Sequence, residues 1–555
     1  MTRPRNWLRA ALAGLIGAGS AIPASAGSET RAGAGQAPRL VLVVVIDQLR
    51  RDRLDASLPG GLGRLAREGR VFPQAALQHA VTATCPGHAS IATGRHPGRT
   101  GLVGNEFIDK EAGRGFYCVE DSGADALTLG GEEGRSPRLL RVDTLGDWLK
   151  AAHPEARVFA VSGKDRGAIP LAGHRGDAAY WLDRDGALRF TTSRYYREDL
   201  PDWVQRWNGA DPIENGYLAA LPERWEHAVT EAEDTARPDD YRYERPDFRR
   251  VSGHPLRAGD LEDTVEQLYR TPYLDLLTLD FARELALREG LGRGPAPDLL
   301  GVSLSATDTI GHYYGPRSHE ARDALLRLDR ALGVFLDQLE ADVGPVLVAL
   351  SADHGVLEMP EWLAQRGASR CPVEGGRTGL FWLWMRLQWE LHSTLSPFSF
   401  PRTWMEAAGT QLHVNRALAR GRGVGVHRVV EVAERFLEAE GAIAEAWNGD
   451  EIAHRRTPMA QLFRNSYDHR RSGELAIELE PTCLVSGRDE GTDHGSPHLY
   501  DRAVPLVFYG PGVAPGSDPR PAATVDLAPT LAALLGIAAP GDLDGRALLP
   551  HDAAP

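Results

Sequence analysis

The sequence predicts an α/β fold: a three-layer α/β/α sandwich with a mostly parallel central sheet and inserted cap segments. Three observations carry that expectation. Arg39-Leu40-Val41-Leu42-Val43-Val44-Val45-Ile46 is an apolar, β-branched run without alternation, the pattern of a parallel strand covered on both faces. Residues 299–305 and 345–351 repeat it, and the three runs lead into Asp47, Asp308 and Asp353. Helical spacing of Leu325, Leu328, Leu332, Phe335, Leu336 and Leu339 supplies the alternating partner of a βαβ chain. Ligands bind outside the carboxyl ends of the strands in open α/β sheets, so acids far apart in sequence can converge there.

Taken in order, residues 1–26 hold Arg3, Arg5 and Arg9, an apolar stretch from Ala10 to about Ile22, and Ala24-Ser25-Ala26. That is the layout of a secretory signal cut after Ala26. The stretch falls short of the roughly 20 residues that span a bilayer, and no Arg-Arg pair precedes it. The mature chain is expected to be periplasmic or secreted, without stable membrane insertion. A Gly/Ala-rich linker fills 27–38, and one main domain runs over 39–548. Within it, 156–162 reads as a strand leading into Gly163-Lys164-Asp165-Arg166. Ser318 to Ala341 is predicted to be an amphipathic helix on the sheet, 504–509 a late strand and 526–535 a closing helix. Two stretches break the rhythm, about 175–265 and about 357–480. Both are expected to form a cap, with Trp382 and Trp384 packing that cap's own core. Residues 549–555 are a tail.

With 555 residues and 42% hydrophobic content, the chain can bury a large core. Its net charge of −14, or −17 once the three arginines of 1–26 are removed, argues against nucleic acid as a partner, because phosphate-tracking proteins carry a basic surface. Cys85, Cys118, Cys371 and Cys483 could pair in an oxidising compartment, and the sequence leaves the pairing open. Cys85 is expected to be a packed thiol. Oligomeric state is not legible.

The chemistry sits in scattered groups. Asp47, Asp308 with His312, Asp353 with His354, and His494 offer six oxygen and nitrogen ligands, enough for two zinc ions that each keep an open position. Two such ions roughly 3.5–4 Å apart stabilise the attacking and leaving oxygens of an in-line displacement. Thr82-Ala83-Thr84-Cys85-Pro86-Gly87-His88 puts a hydroxyl at a helix start. Thr84 alone reads as an N-cap; beside a metal it reads as a nucleophile, with the helix N-terminus favouring an incoming anion.

These pieces, with Asn105 in Gly104-Asn105-Glu106-Phe107, Asp308-x-x-x-His312-x-x-Gly315-Pro316, Ser351-Ala352-Asp353-His354-Gly355 and His494-Gly495-Ser496-Pro497, resemble the alkaline phosphatase superfamily. The branch they are most similar to is that of the bacterial threonine-nucleophile alkaline phosphatases, relatives of the type I phosphodiesterase/nucleotide pyrophosphatases. The resemblance is collinear from about residue 39 to 548. It implies one zinc on Asp308, His312 and His494, and another on Asp47, Asp353, His354 and Thr84. It further implies a phospho-threonine on Thr84 that water then hydrolyses, and small phosphate monoesters as substrates. Asn105, Lys164 and Arg166 would bind the phosphoryl group, the last two compensating a monoester dianion. Asp165 is expected to tether a neighbour or face solvent. A phosphodiesterase of the same superfamily is the alternative, and a non-catalytic exported protein that binds zinc or phosphorylated ligands a more distant one. The formylglycine segment of sulfatases is absent.

Overall fold

The computed structural model describes residues 37–550 except 132, 185–187, 211–216, 229–236, 257–258 and 260. The expected signal, almost all of the linker and most of the tail lie outside the described residues. Among those described, no helix is long and apolar enough to cross a membrane.

Six strands dominate a nine-stranded sheet: β1 (Leu40–Ile46), β2 (Val158–Ser162), β3 (Ala178–Leu182), β4 (Asp298–Leu304), β5 (Val346–Ser351) and β6 (Leu506–Tyr509). Across the sheet they run β6-β5-β1-β4-β2-β3, with short strands 516–517 and 70–71 beyond β6 and 190–191 beyond β3. The five from β5 to β3 are mutually parallel, and β6 pairs antiparallel with β5. Every residue of β1 is buried. Leu40, Leu42, Val44 and Ile46 enter one core, and Val41, Val43 and Val45 the other. This explains the unbroken apolar run: pleating sends alternate side chains to opposite faces, and helices cover both.

On the first face lie α1 (Gly61–Glu68) and, further along the chain, α5 (His319–Val343). On the second lie α2 (Thr84–Thr93), α3 (Asp165–Ala172) and α8 (Leu527–Leu534). The short helix α4 (Ala306–Tyr314) follows β4 directly. Ser318 caps α5 by accepting from the Ala321 amide. Helix α5 in turn caps α1, where buried Asp329 accepts from the amides of Gly60, Leu62 and Gly63 at 2.6, 2.8 and 3.2 Å.

The stretch 175–265, expected to form a cap, contributes through its described residues to the main body. It supplies β3 and strand 190–191 to the sheet, and Trp203, Trp225 and Phe248 to the first core. Its aromatic content is core material at the sheet edge. The second stretch is different: a four-stranded antiparallel sheet ordered 405–408, 411–414, 475–479, 443–448 packs with α6 (Leu380–Leu395) and α7 (Val426–Glu438) around a core of its own. Trp384 packs against that core, whereas Trp382 is 71% exposed, contrary to expectation. All four cysteines are paired, Cys85 with Cys118 and Cys371 with Cys483, so Cys85 is not a free thiol.

Removing the carboxylate of Asp329 strands three amides at the start of α1. Asp329→Ala should cost on the order of 2–3 kcal/mol, measured as a lower denaturant midpoint with an unchanged slope.

Candidate active site

Asp47 follows β1, Asp308 lies in the first turn of α4 after β4, and Asp353-His354 follow β5. Because these three strands are adjacent and parallel, their carboxyl ends place the acids together. His312 is one turn beyond Asp308 on α4, and His494 arrives on the segment before β6. The groups fall into two sets. In one, His354 Nε2 is 3.4 Å from Asp47 Oδ1 and 3.6 Å from Asp353 Oδ2. In the other, Asp308 Oδ1 is 3.2 Å from His312 Nε2 and 3.6 Å from His494 Nε2. The sets adjoin, since the rings of His354 and His494 stack with centroids 3.7 Å apart.

The donors suit divalent metal ions. Among the described residues, Asp47 Oδ1, Asp353 Oδ2 and His354 Nε2 are buried without a hydrogen-bond partner. The three histidines each hold Nδ1 against a backbone carbonyl: His312 on Thr492 at 2.9 Å, His354 on Gly355 at 3.0 Å and His494 on Thr82 at 2.6 Å. That contact selects the tautomer whose Nε2 lone pair is free to ligate. Burial, with Asp308 and Asp353 nearby, pushes the Asp47 carboxyl up to about 6. Burial also acts to raise Asp308, but Lys164 and His312 outweigh it and hold that carboxyl well below its usual range.

Lys164 Nζ is 2.5 Å from Asp47 Oδ2 and 2.6 Å from Asp308 Oδ2, so its ammonium bridges one carboxylate from each set. The sequence led us to expect it beside a phosphoryl group; in the structure its partners are the acids. Thr84, Asn105, Arg166, Asp308, His312 and His494 line one cavity of about 630 Å³, roofed by Leu383, Leu387, Ile477 and Leu479 of the 380–479 unit. Thr84 is the first residue of α2, and the cap position belongs to Ala83. The expected capping role is therefore not the one Thr84 fills.

Two antiparallel strands, 106–109 and 114–117, hold three of these side chains. Asn105 Oδ1 accepts from the Cys85 amide at 2.9 Å, leaving its NH2 for the cavity, and Cys118 N–H donates to Asn105 O at 2.9 Å. The Cys85–Cys118 bridge closes the same loop beside Thr84. Tyr117 Oη is 3.4 Å from Arg166 Nη1 and donates to Asp165 Oδ1 at 2.5 Å, while Arg135 Nε donates to Asp165 Oδ2 at 2.6 Å. Asp165 is thus a tether.

The family model for type I phosphodiesterase / nucleotide pyrophosphatase matches residues 41–501. The chain belongs to that family. A protein of Myroides odoratus named calcium-transporting ATPase is 33% identical over 521 residues, 91% of this chain and 92% of its own. The alkaline phosphatase PafA of Elizabethkingia meningoseptica is 31% identical over 567 residues, 98% of each chain. The crystal structure of alkaline phosphatase PafA superposes with a TM-score of 0.83 at 29% identity, covering 93% of this chain and 99% of that one. A variant of PafA substituted at a threonine, an asparagine, a lysine and an arginine superposes equally well, at 28% identity.

For this member of the family, the structure adds two residues that sequence reasoning missed. Gln48 adopts a left-handed backbone at φ 69°, a conformation costly for a residue with a side chain. It lets the Gln48 amide donate to Asp353 Oδ1 at 3.1 Å while Nε2 donates to Asp308 Oδ1 at 2.7 Å. No sequence pattern marks it. His88 lies inside the threonine motif and joins three elements: Nδ1 is 2.9 Å from Thr84 O and 3.2 Å from Asp353 Oδ2, and Nε2 is 2.8 Å from Ser303 Oγ. Gly87 permits this packing, because a Cβ there would lie 2.3 Å from Asp353 O.

Since Gln48 orients an acid of each set, Gln48→Ala should weaken divalent-metal retention by about 10–100-fold. Competition with a chelator at fixed pH measures it.

Proposed function

We propose that this protein is an exported alkaline phosphatase, a phosphate monoesterase that works through a phospho-threonine on Thr84 with two zinc ions. The observation that carries the reading is the grouping of Thr84, Asn105 and Arg166 in one cavity with Asp308, His312 and His494, with Lys164 between the two acid sets. The alkaline phosphatase relatives, similar over nearly the whole chain, support it. So do the residue types altered in the PafA variant, a threonine, an asparagine and a lysine two positions before an arginine, the types found at Thr84, Asn105, Lys164 and Arg166.

Asp308, His312 and His494 would hold one ion, and Asp47, Asp353 and His354, with Thr84, the other. Bound there, zinc supplies Lewis-acid stabilisation of negative oxygens. The Thr84 hydroxyl oxygen attacks phosphorus, the ester oxygen leaves, and water then cleaves the Thr84–phosphate bond to return the free hydroxyl. Asn105 presents N–H donors to a phosphoryl oxygen. Arg166, oriented by Tyr117, and Lys164 place positive charge where a monoester carries one negative charge more than a diester. Export agrees with the two disulfides, since such bonds persist in oxidising compartments.

The test is a parallel rate measurement on a phosphate monoester, a diester, a sulfate ester and ATP, with metal content read on the same sample. Monoester turnover should dominate, disappear with chelation and return with zinc. Thr84→Ala should lose at least about 10³-fold in kcat. Lys164→Ala and Arg166→Ala should each lose roughly 10²–10³-fold on the monoester and far less on the diester. Equal losses on both substrates would sink the charge-matching role of Lys164 and Arg166, and a dominant diester rate would reassign the chain to diester hydrolysis.

A further inference from the structure

A second group of metal-type ligands lies apart from the active site. His254 lies in the small antiparallel pair 224–225 and 254–255, His227 follows its first strand, and Glu320 sits in the first turn of α5. His254 Nε2 is 3.3 Å and His227 Nε2 3.7 Å from the same oxygen, Glu320 Oε1. One ligand atom from each residue lies within 4.8 Å of the other two. His254 and Glu320 are fully buried and the His227 side chain is 5% exposed. Among the described residues, neither Nε2 and neither Glu320 oxygen has a hydrogen-bond partner, so four buried polar atoms face one another unsatisfied, an arrangement that is costly without a cation.

The surroundings prepare these atoms for ligation. His254 Nδ1 is 2.8 Å from Phe248 O, which puts the proton on Nδ1 and turns the Nε2 lone pair toward Glu320, the orientation a metal-ligating histidine needs. His227 Nδ1 faces Asp239 Oδ1 at 4.0 Å, an outer carboxylate on the side away from Glu320. Burial lowers the pKa of both histidines, keeping the rings neutral. Burial likewise raises the Glu320 carboxyl to about 8, with Asp239 adding to the rise and Arg237 opposing it.

We infer that His227, His254 and Glu320 form a third, structural metal site that takes a divalent transition metal of the zinc class. Two imidazoles and one carboxylate match the donor preference of zinc and leave room for a water. The site joins the 224–255 segment to the corner between α4 and α5. Tyr314, the last residue of α4, already touches that cluster, with its hydroxyl 3.2 Å from His254 Nδ1. A metal here would brace the helix that carries Asp308 and His312 while touching no substrate.

The test uses the full chain with both catalytic ligand sets disabled by Asp47→Asn, Asp308→Asn, Asp353→Asn and His494→Gln. Its outcome is thereby independent of the phosphatase reading. After dialysis against metal-free buffer, this chain should retain about one equivalent of zinc by elemental analysis. Its melting temperature should fall on chelation and recover with zinc. Cobalt substitution should give the absorption of a site with nitrogen and oxygen ligands. Adding His254→Gln and Glu320→Gln should remove the equivalent and the chelator response together. No retained metal and a melting temperature indifferent to chelator would overturn the proposal and leave a neutral acid–imidazole contact in its place. If the multiple variant does not fold, elemental analysis of the native chain decides: three equivalents, one of them lost in His254→Gln, supports the site, and two equivalents unaffected by that change overturns it.

Discussion

Asp47, Asp308 and Asp353 are almost entirely withdrawn from water at the ends of three neighbouring strands, with one ammonium, Lys164, between two of them. Burial first, and then repulsion from Asp308 and Asp353 held close in a low-dielectric interior, push the Asp47 carboxyl up to about 6. The arrangement persists because the surroundings over-determine it. Backbone and side-chain donors from Gln48 reach two of the acids, and histidines locked by backbone carbonyls aim their free nitrogens among them. Such a concentration of carboxylate is poor design for stability alone, since a buried uncompensated charge costs more than it returns. It is good design for holding divalent cations.

A second device sets Thr84, Asn105 and Arg166 against that centre. The ribbon of residues 105–118 touches the start of α2 through the Asn105 side chain and through the Cys85–Cys118 bridge. It touches the start of α3 through Tyr117, Arg166 and Asp165. Thr84, Asn105 and Arg166 come from three separate segments, yet one covalently closed loop governs all three. Positioning of this kind is where much of a rate enhancement originates, because a displacement of about 1 Å can cost 10²-fold. The 380–479 unit, with its own core, contributes an apolar roof to the same cavity.

The sheet and the placing of Asp47, Asp308 and Asp353 at its strand ends could be read in advance, because a strand buried on both faces writes an unbroken apolar run and its acid follows closely. Less legible was the stretch 175–265. Its tryptophans and tyrosines resemble those of a lid, and only their burial beside β3 shows that they extend the main core. Lys164 stood out in the sequence only as a cation after a strand; its contacts with Asp47 and Asp308 depend on which strands are adjacent.

By itself, the sequence determined the fold class, the family and the residue types of the site, since each is a local pattern or a motif readable along the chain. Tertiary structure alone decided which acid faces which histidine, how the four cysteines pair, that Gln48 adopts a left-handed backbone to bridge two acids, and that His227, His254 and Glu320 meet. These depend on strand order and helix approach. Contacts between residues as far apart as Gln48 and Asp353 leave no periodic trace in the chain, because the forces that make them act through space.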